Sequence, residues 1–122
     1  MRSLKPLDED TIMSSVRKTK HLLVCDSGWK SGGFAAEVIT KVVETAFEYL
    51  KASPQRITSP DYPAPSSPGL SKYYYPLSTD IAKEVLVMLN KPKTDFEKLS
   101  EMAEKNEEIN LDQPDPSFEG PF

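Results

Sequence analysis

Apolar and polar positions follow one another along the chain in blocks that predict a helix, a strand, a second helix and a second strand. In the first block Ile12, Met13 and Val16 form one apolar face, and Asp8 stands where a helix N-cap is expected. The run HLLVCD, residues 21–26, then contains three successive apolar residues without alternation. Such a run predicts a strand that is covered on both faces, as in parallel sheets.

Residues 34–50, FAAEVITKVVETAFEYL, predict a long helix with one narrow polar stripe, formed by Glu37, Lys41, Glu44 and Glu48. A helix that covers one sheet needs less apolar surface than this. The excess therefore predicts a second packing surface, either within this chain or across a subunit boundary. The segment QRIT, residues 55–58, predicts a short strand, so the order of elements indicates a βαβ unit.

Residues 59–77 contain five prolines and predict a long, stiff loop without helix or strand periodicity. This loop is either a surface excursion or a binding or interface element, and both interpretations stay open. Residues 78–90 predict a helix capped by Ser78 or Thr79, and residues 94–109 predict a modest amphipathic helix. The last segment, NLDQPDPSFEGPF, is acidic and proline-rich, and we expect it to be disordered in isolation.

Composition narrows the class of protein. The 122 residues suit one domain, and the net charge of −4 is concentrated in residues 91–122, which hold nine acids and four lysines. A near-neutral body with an acidic tail argues against nucleic acid as a partner. No apolar run approaches the roughly 20 residues that span a bilayer, so no membrane partner is expected. The absence of a signal-peptide pattern and the single cysteine favour the cytoplasm.

The segment CDSGWKSGGF, residues 25–34, places a glycine-rich loop between the predicted strand and helix, a context that suits phosphate binding. Its spacing matches neither GxGxxG nor GxxxxGK[ST]. The stronger interpretation is structural: Gly32 and Gly33 let the helix start close to the sheet, and Gly28 supplies a turn with positive φ. A small-ligand or nucleotide-binding regulatory module that uses residues 27–33 is the alternative function.

No combination of residues predicts a catalytic site. Asp26 ends a strand without a neighbouring acid–base partner in sequence. His21 and Cys25 share a strand face but lie about 13 Å apart at strand rise, so we expect a buried structural cysteine. The tyrosines of YYYP, residues 73–76, are expected to close a core or to line an interface. We therefore assign no catalytic, cofactor-binding or metal-binding residue.

Taken together, these segments resemble the C-terminal, transketolase-like domain of the beta subunit of thiamine-diphosphate-dependent 2-oxoacid dehydrogenases of the pyruvate and branched-chain type. The family pattern contains LRSLKPLD, GGFGAEI, AFEYLDAP and RVTGPDxPxP in this order. The resemblance covers roughly residues 2–90. The matching positions are Leu4, Pro6, Leu7, Asp8, Asp26, Gly32, Gly33, Phe34, Ala36, Glu37, Ala46, Phe47, Leu50, Pro54, Arg56, Pro60, Asp61, Pro63, Pro65 and Pro76.

The resemblance implies a three-layer α/β/α fold with a mostly parallel sheet. In this family the domain performs no bond chemistry; it holds beta subunits together and helps to dock the dihydrolipoyl acyltransferase core. The parent enzyme oxidatively decarboxylates a 2-oxoacid with thiamine diphosphate and magnesium, which this domain does not bind. The expected partners are other beta and alpha subunits and the acyltransferase.

The sequence departs from the family pattern at its beginning, because the strands that precede RSLKPLD are largely missing. We therefore expect an N-terminally truncated domain over residues 1–90, an acidic tail over residues 91–122, and a fragment or split product of a longer protein. The missing strands would leave an uncovered sheet edge, which favours self-association. The candidate interface residues are Gly32, Gly33, Phe34, Ala36, Phe47, Asp61 and Tyr74.

Overall fold

The fold of residues 3–71 and 73–105, which a computed structural model describes, is built on helices around a parallel pair of strands. In chain order the elements are α1 (Glu9–Thr19), β1 (Leu23–Trp29), α2 (Phe34–Ala46), a 3-10 helix (Phe47–Tyr49), β2 (Gln55–Ser59), α3 (Pro68–Ser71), α4 (Ser78–Met88) and α5 (Lys93–Lys105).

Helix α1 begins and ends with residues that suit its termini. The carboxylate of Asp8 accepts a hydrogen bond from the Thr11 amide at 3.1 Å, which confirms the predicted N-cap. Hydrogen bonds from Thr11, the side chain first and the amide second, lower the pKa of Asp8. At the other end Lys20 adopts a left-handed φ of 65°, and its amide donates to the Val16 carbonyl.

Strands β1 and β2 pair in parallel, with Leu23 opposite Gln55 and Asp26 opposite Thr58. Because α2 lies between the two strands in sequence, the predicted βαβ unit is confirmed. The register is irregular between Asp26 and Trp29. There the fully buried Ser59 donates its hydroxyl hydrogen to the Ser27 carbonyl at 3.0 Å, so the irregular segment remains attached to β2.

The core consists of two apolar clusters on the α2 side of the sheet. One cluster joins α1 to α2 through Met13, Val16, Val42 and Ala46. The other joins β1 to α2 through buried side chains of Val24, Ala35 and Val38. Helix α1 thus takes up most of the apolar excess of α2, and the second packing surface expected for this helix lies within the chain. Exposed apolar side chains on α2 and the following 3-10 helix include those of Val43 and Phe47.

The opposite face of the sheet is exposed. Cys25 points away from Val24, as alternation along a strand requires, and is exposed. The expectation of a buried cysteine on a strand covered on both faces was therefore wrong. An unbroken apolar run indicates burial only if a second layer covers the strand. The α/β class and the parallel pairing are confirmed, with α1 and α2 packed on the Val24 face.

The second half of the chain adds short helices. The proline-rich loop includes a single helical turn, α3, which the sequence did not predict. Helix α4 begins after Leu77 and not after Ser78 or Thr79, because Asp80 accepts a hydrogen bond from the Leu77 amide at 2.9 Å. Helix α5 packs on α4 and confirms the helical prediction up to residue 105. The segment expected to be disordered, residues 110–122, lies outside the described residues.

Within the described ranges, no helix combines the length and apolarity needed to cross a membrane.

The two neighbouring valines of α2 provide a test of this core. Val42 is fully buried between α1 and α2, whereas Val43 is 39% exposed. We expect Val42→Ala to lower the free energy of unfolding by about 2 kcal/mol and Val43→Ala to change it by less than about 0.5 kcal/mol. Urea unfolding followed by circular dichroism measures both, and equal losses would contradict the assigned packing.

Candidate interaction site: the anchored glycine loop and the tyrosine cleft

The loop after β1 is anchored by the carboxylate of Asp26. One carboxylate oxygen accepts a hydrogen bond from the Gly28 amide at 2.8 Å, and the other accepts from the Ala35 amide at 3.1 Å. Because Ala35 lies in the first turn of α2, one aspartate connects the end of the strand, the loop and the start of the helix. A carboxylate also complements the positive end of a helix dipole.

Two positions in this loop favour glycine for different steric reasons. A Cβ atom on Gly33 would lie 2.1 Å from the Trp29 carbonyl oxygen, so α2 can begin this close to β1 only with glycine at that position. Gly32 has φ of +70°, in the left-handed region that favours glycine. The predicted close approach is confirmed at Gly33 but is wrong for Gly32, where an added Cβ atom would meet nothing within 4 Å. The positive φ that we expected at Gly28 lies at Gly32 instead. At Gly28 a Cβ atom would instead press on the Asp26 carboxylate.

A second aspartate attaches the loop to the proline-rich segment. Asp61 accepts hydrogen bonds from the Ser31 amide at 2.8 Å and from the Ser31 hydroxyl at 2.6 Å. These bonds, first that of the Ser31 side chain, lower the pKa of Asp61. Arg56 on β2 donates to the Lys30 carbonyl at 2.9 Å. The tip of the loop is therefore held from β2 and from the segment that follows it.

The amides that a phosphate would need are engaged by the chain's own carboxylates. Those of Gly28 and Ala35 donate to Asp26, and that of Ser31 donates to Asp61. A phosphate at this position would have to displace or approach two carboxylates, which carry charge of the same sign. This geometry favours the structural interpretation of the loop over the phosphate-binding alternative.

An aromatic cluster lies beside the loop. The Trp29 indole donates to the Tyr74 hydroxyl at 3.2 Å, and the Tyr74 ring meets those of Tyr62 and Tyr75 edge to face, with centroids 5.5 Å and 4.9 Å away. Tyr74 is buried. Around it opens a tyrosine cleft of about 490 Å³, lined by Lys30, Arg56, Ile57, Thr58, Ser59, Pro60, Tyr62, Tyr73, Tyr74, Tyr75, Pro76 and Asp80.

Cys25 and His21 do not form a catalytic pair. Cys25 lies on the exposed sheet face, and desolvation of its sulfur raises the pKa of the thiol, which disfavours the nucleophilic thiolate. The Nδ1 atom of His21 lies 2.9 Å from the Thr19 carbonyl oxygen at the end of α1. Across residues 3–71 and 73–105, His, Cys, Asp and Glu side chains form no group of three or more that could hold a metal ion.

Comparison with known proteins assigns this chain to a family. The model of the transketolase C-terminal domain matches residues 1–81, which include the anchored loop, both strands and the tyrosine cluster. The chain belongs to the transketolase C-terminal domain family. This assignment confirms the resemblance inferred from the motifs and the α/β fold that the resemblance implied.

Curated relatives of this transketolase C-terminal domain are beta subunits of the pyruvate dehydrogenase E1 component. The mitochondrial subunit of Saccharomyces cerevisiae is 38% identical over 91 residues, which cover 74% of this chain and 25% of the relative. The mitochondrial beta-1 subunit of Oryza sativa is 41% identical over 83 residues, covering 68% and 22%. The subunit of Rickettsia felis is 36% identical over 85 residues, covering 70% and 26%. The chain thus spans about a quarter of the length of these relatives.

The structure separates the candidate interface residues of the transketolase C-terminal domain into two regions. One region, at the anchored loop and the tyrosine cluster, contains Gly32, Gly33, Phe34, Ala36, Asp61 and Tyr74. The other region, beyond the opposite end of α2, contains Phe47. Tyr74 is buried and Phe34 packs against the core, whereas Phe47 is 66% exposed. The roles of these residues in subunit contacts stay predictions, for which Phe47 offers the largest apolar surface of the set.

The sequence did not show that Arg56 contacts the loop or that Ser31 of the loop binds Asp61. Arg56 contacts a carbonyl 26 positions earlier, and Ser31 binds an aspartate 30 positions later. Contacts between residues so far apart in sequence produce no helix or strand periodicity from which they could be predicted. The proline-rich segment, with Asp61 near its start, was the available indication that this loop is ordered by long-range contacts.

The contrast between two glycines tests the close approach of α2 to β1. Gly33→Ala would force a Cβ atom onto the Trp29 carbonyl, whereas a Cβ atom on Gly69 would have its nearest neighbour, the Ser67 hydroxyl oxygen, at 3.9 Å. We expect Gly33→Ala to lower the free energy of unfolding by about 1–3 kcal/mol and Gly69→Ala to leave it within about 0.5 kcal/mol of the parent. Urea unfolding measures both, and an unaffected Gly33→Ala variant would contradict the geometry.

Proposed function

We propose that this chain serves as the C-terminal domain of a 2-oxoacid dehydrogenase beta subunit and acts in subunit assembly. In this proposal it contacts beta and alpha subunits and helps to dock the dihydrolipoyl acyltransferase core. The similarity to pyruvate dehydrogenase E1 beta subunits supports the assignment to this class of enzyme. The assembly role rests on the surfaces of the molecule, which the next observations describe.

The observation that carries the proposal is the exposed face of the parallel sheet. Parallel sheets are normally covered on both faces, yet Cys25 of β1 is exposed. In the described part of the chain the sheet has two strands, so each strand also has one edge without a strand partner. Unpaired strand edges can pair with another protein segment, and an exposed face of a parallel sheet can be covered by another layer. A neighbouring subunit, or the remainder of a beta subunit, is the partner that such a surface fits.

A second apolar surface lies at the end of α2. Val43 and Phe47 are four residues apart and are 39% and 66% exposed. Val43 lies in the last turn of α2, and Phe47 begins the 3-10 helix that follows it. Large exposed apolar side chains are typical of the centres of protein interfaces. The α2 surface, defined as Val43 and Phe47, is therefore the second candidate contact.

The chemistry of the parent enzyme would lie outside this chain. We infer oxidative decarboxylation of a 2-oxoacid on thiamine diphosphate and magnesium, carried out by the other domains of the complex. In this proposal the chain itself takes no step of that reaction. The cytoplasmic location stays a prediction; the yeast and rice relatives carry the word mitochondrial in their names.

Sedimentation velocity tests the assembly role. The chain is run alone over a range of concentrations, with the purified alpha subunit of its parent dehydrogenase, and with the dihydrolipoyl acyltransferase core. We expect self-association that grows with concentration and a faster-sedimenting complex with at least one partner. A chain that stays monomeric at all concentrations and binds neither partner would overturn the proposal.

Two adjacent truncations test the α2 surface. Phe47→Ala removes a 66% exposed aromatic ring, and Glu48→Ala truncates the next residue of the same 3-10 helix, which is also exposed. We expect Phe47→Ala to weaken association by about tenfold or more, as loss of an aromatic interface residue does, and Glu48→Ala to leave it unchanged. Urea unfolding should show that both variants stay folded. Equal association of the two variants would exclude Phe47 from the interface.

A further inference from the structure

Strand β2 has a free edge on the side away from β1. The Gln55 amide donates to the Leu22 carbonyl at 3.0 Å, so the backbone groups of Gln55 point towards β1. Along a strand, the backbone N–H and C=O groups of successive residues point to alternate sides. Those of Ile57 therefore point towards β1 as well, and those of Arg56 and Thr58 point to the free edge. In the described part of the sheet no third strand pairs there.

The outward backbone groups of Arg56 and Thr58 need partners. Both residues are half-buried, and among residues 3–71 and 73–105 their backbone groups form no hydrogen bond outside the ladder with β1. Polar backbone groups that are withdrawn from water are almost always hydrogen-bonded. The tyrosine cleft is bordered by the successive residues 56–60. Because neighbouring side chains of a strand point to opposite faces, a cleft that touches all of them follows the edge.

The free edge of β2 is complementary to itself. The donors and acceptors of Arg56 and Thr58 are two residues apart, which is the spacing that the edge of another extended strand offers. When two copies pair antiparallel with Ile57 opposite Ile57, Arg56 of each copy lies opposite Thr58 of the other. Both pairs then exchange N–H···O=C hydrogen bonds in both directions, so all these outward groups are satisfied. The same surface serves both copies, as a closed two-fold dimer requires.

The residues of β2 select this register among its neighbours. A register with Arg56 opposite Arg56 would place like charges across from each other, which is destabilising. A register with Thr58 opposite Thr58 would place Pro60, which has no N–H group, opposite Arg56. Centring the pair on Ile57 avoids both, and it brings two half-buried apolar side chains together.

The surroundings of the free edge suit a second copy. Lys30 and Arg56 are balanced by Asp80, which also lines the cleft, and by Asp61, which lies beside Lys30. Two like surfaces therefore meet without a net charge that would keep them apart. Aromatic surface, which protein interfaces favour, borders the same cleft. The exposed rings are those of Tyr62, Tyr73 and Tyr75.

We propose that two copies of this chain associate through the free edge of β2, antiparallel and with Ile57 opposite Ile57. The proposal rests on the self-association in the proposed function, and it names the surface and the partner. The sheets of the two copies form one continuous sheet across the dimer axis. The outer edge of β1 lies on the far side of each copy and stays open to other contacts.

Amide hydrogen exchange in the full chain tests the proposal. Exchange is followed by NMR at concentrations below and above the self-association that sedimentation velocity detects. We expect the amides of Arg56 and Thr58 to exchange about tenfold or more slowly in the associated chain, and the Cys25 amide, on the outer edge of β1, to keep its rate. Association without protection of Arg56 and Thr58 would overturn this pairing and leave the assembly role standing. A chain that stays monomeric would overturn the pairing alone when it binds a partner subunit, and both proposals when it binds none.

Disulfide cross-linking tests the register. In a Cys25→Ser background, Ile57→Cys places two thiols opposite each other at a Cα distance of about 4.5 Å, within the range that a disulfide spans. The matched control Gln55→Cys lies on the same face of β2, but its two copies would be about 13 Å apart along the paired strands.

With oxidised glutathione as the oxidant, we expect covalent dimers of the Ile57→Cys variant and monomers of the Gln55→Cys variant on a non-reducing gel. Circular dichroism should show that both variants stay folded. Equal yields of dimer, including none in both variants, or dimers of the control alone would overturn the pairing.

Discussion

The structure depends on one carboxylate placed between a strand and a helix. The Asp26 carboxylate accepts hydrogen bonds from the amide of Gly28, two residues later in the chain, and from the amide of Ala35 at the start of α2. Each hydrogen bond to a charged group contributes about 1.5–3 kcal/mol. With this connection fixed, α2 can approach β1 so closely that only glycine fits at position 33. The same approach brings Val38 onto Val24 and Val42 onto α1, where the two clusters of the core form.

The anchored loop also determines what the domain can do. Because Asp26 and Asp61 take the amides of Gly28, Ser31 and Ala35, the strand end that often binds ligands in α/β proteins is engaged by the chain itself. Among the described residues, the exposed sheet face, the α2 surface and the tyrosine cleft remain accessible. All three are suited to protein contacts. The chain belongs to the transketolase C-terminal domain family and is similar to pyruvate dehydrogenase beta subunits.

Local features were predictable from the sequence, and features that depend on distant segments were not. Asp8 as a cap, the βαβ order and the close packing at Gly33 follow from short-range patterns. The exposure of Cys25 could not be inferred, because an apolar run does not reveal whether a second layer covers it. The second surface of α2 was recognised, but only the structure shows that α1 supplies it. The positive φ lies at Gly32, whereas the Gly28 amide donates to Asp26.

The most direct test of the central claim is an NMR titration of the full chain with inorganic phosphate and with a nucleotide. If these amides donate their hydrogen bonds to Asp26 and Asp61, the amide signals of Gly28, Ser31 and Ala35 will keep their positions throughout both titrations. The signals of Gly32 and Gly33 should behave in the same way. Saturable shifts confined to these five amides would contradict the account and establish the loop as an anion-binding site.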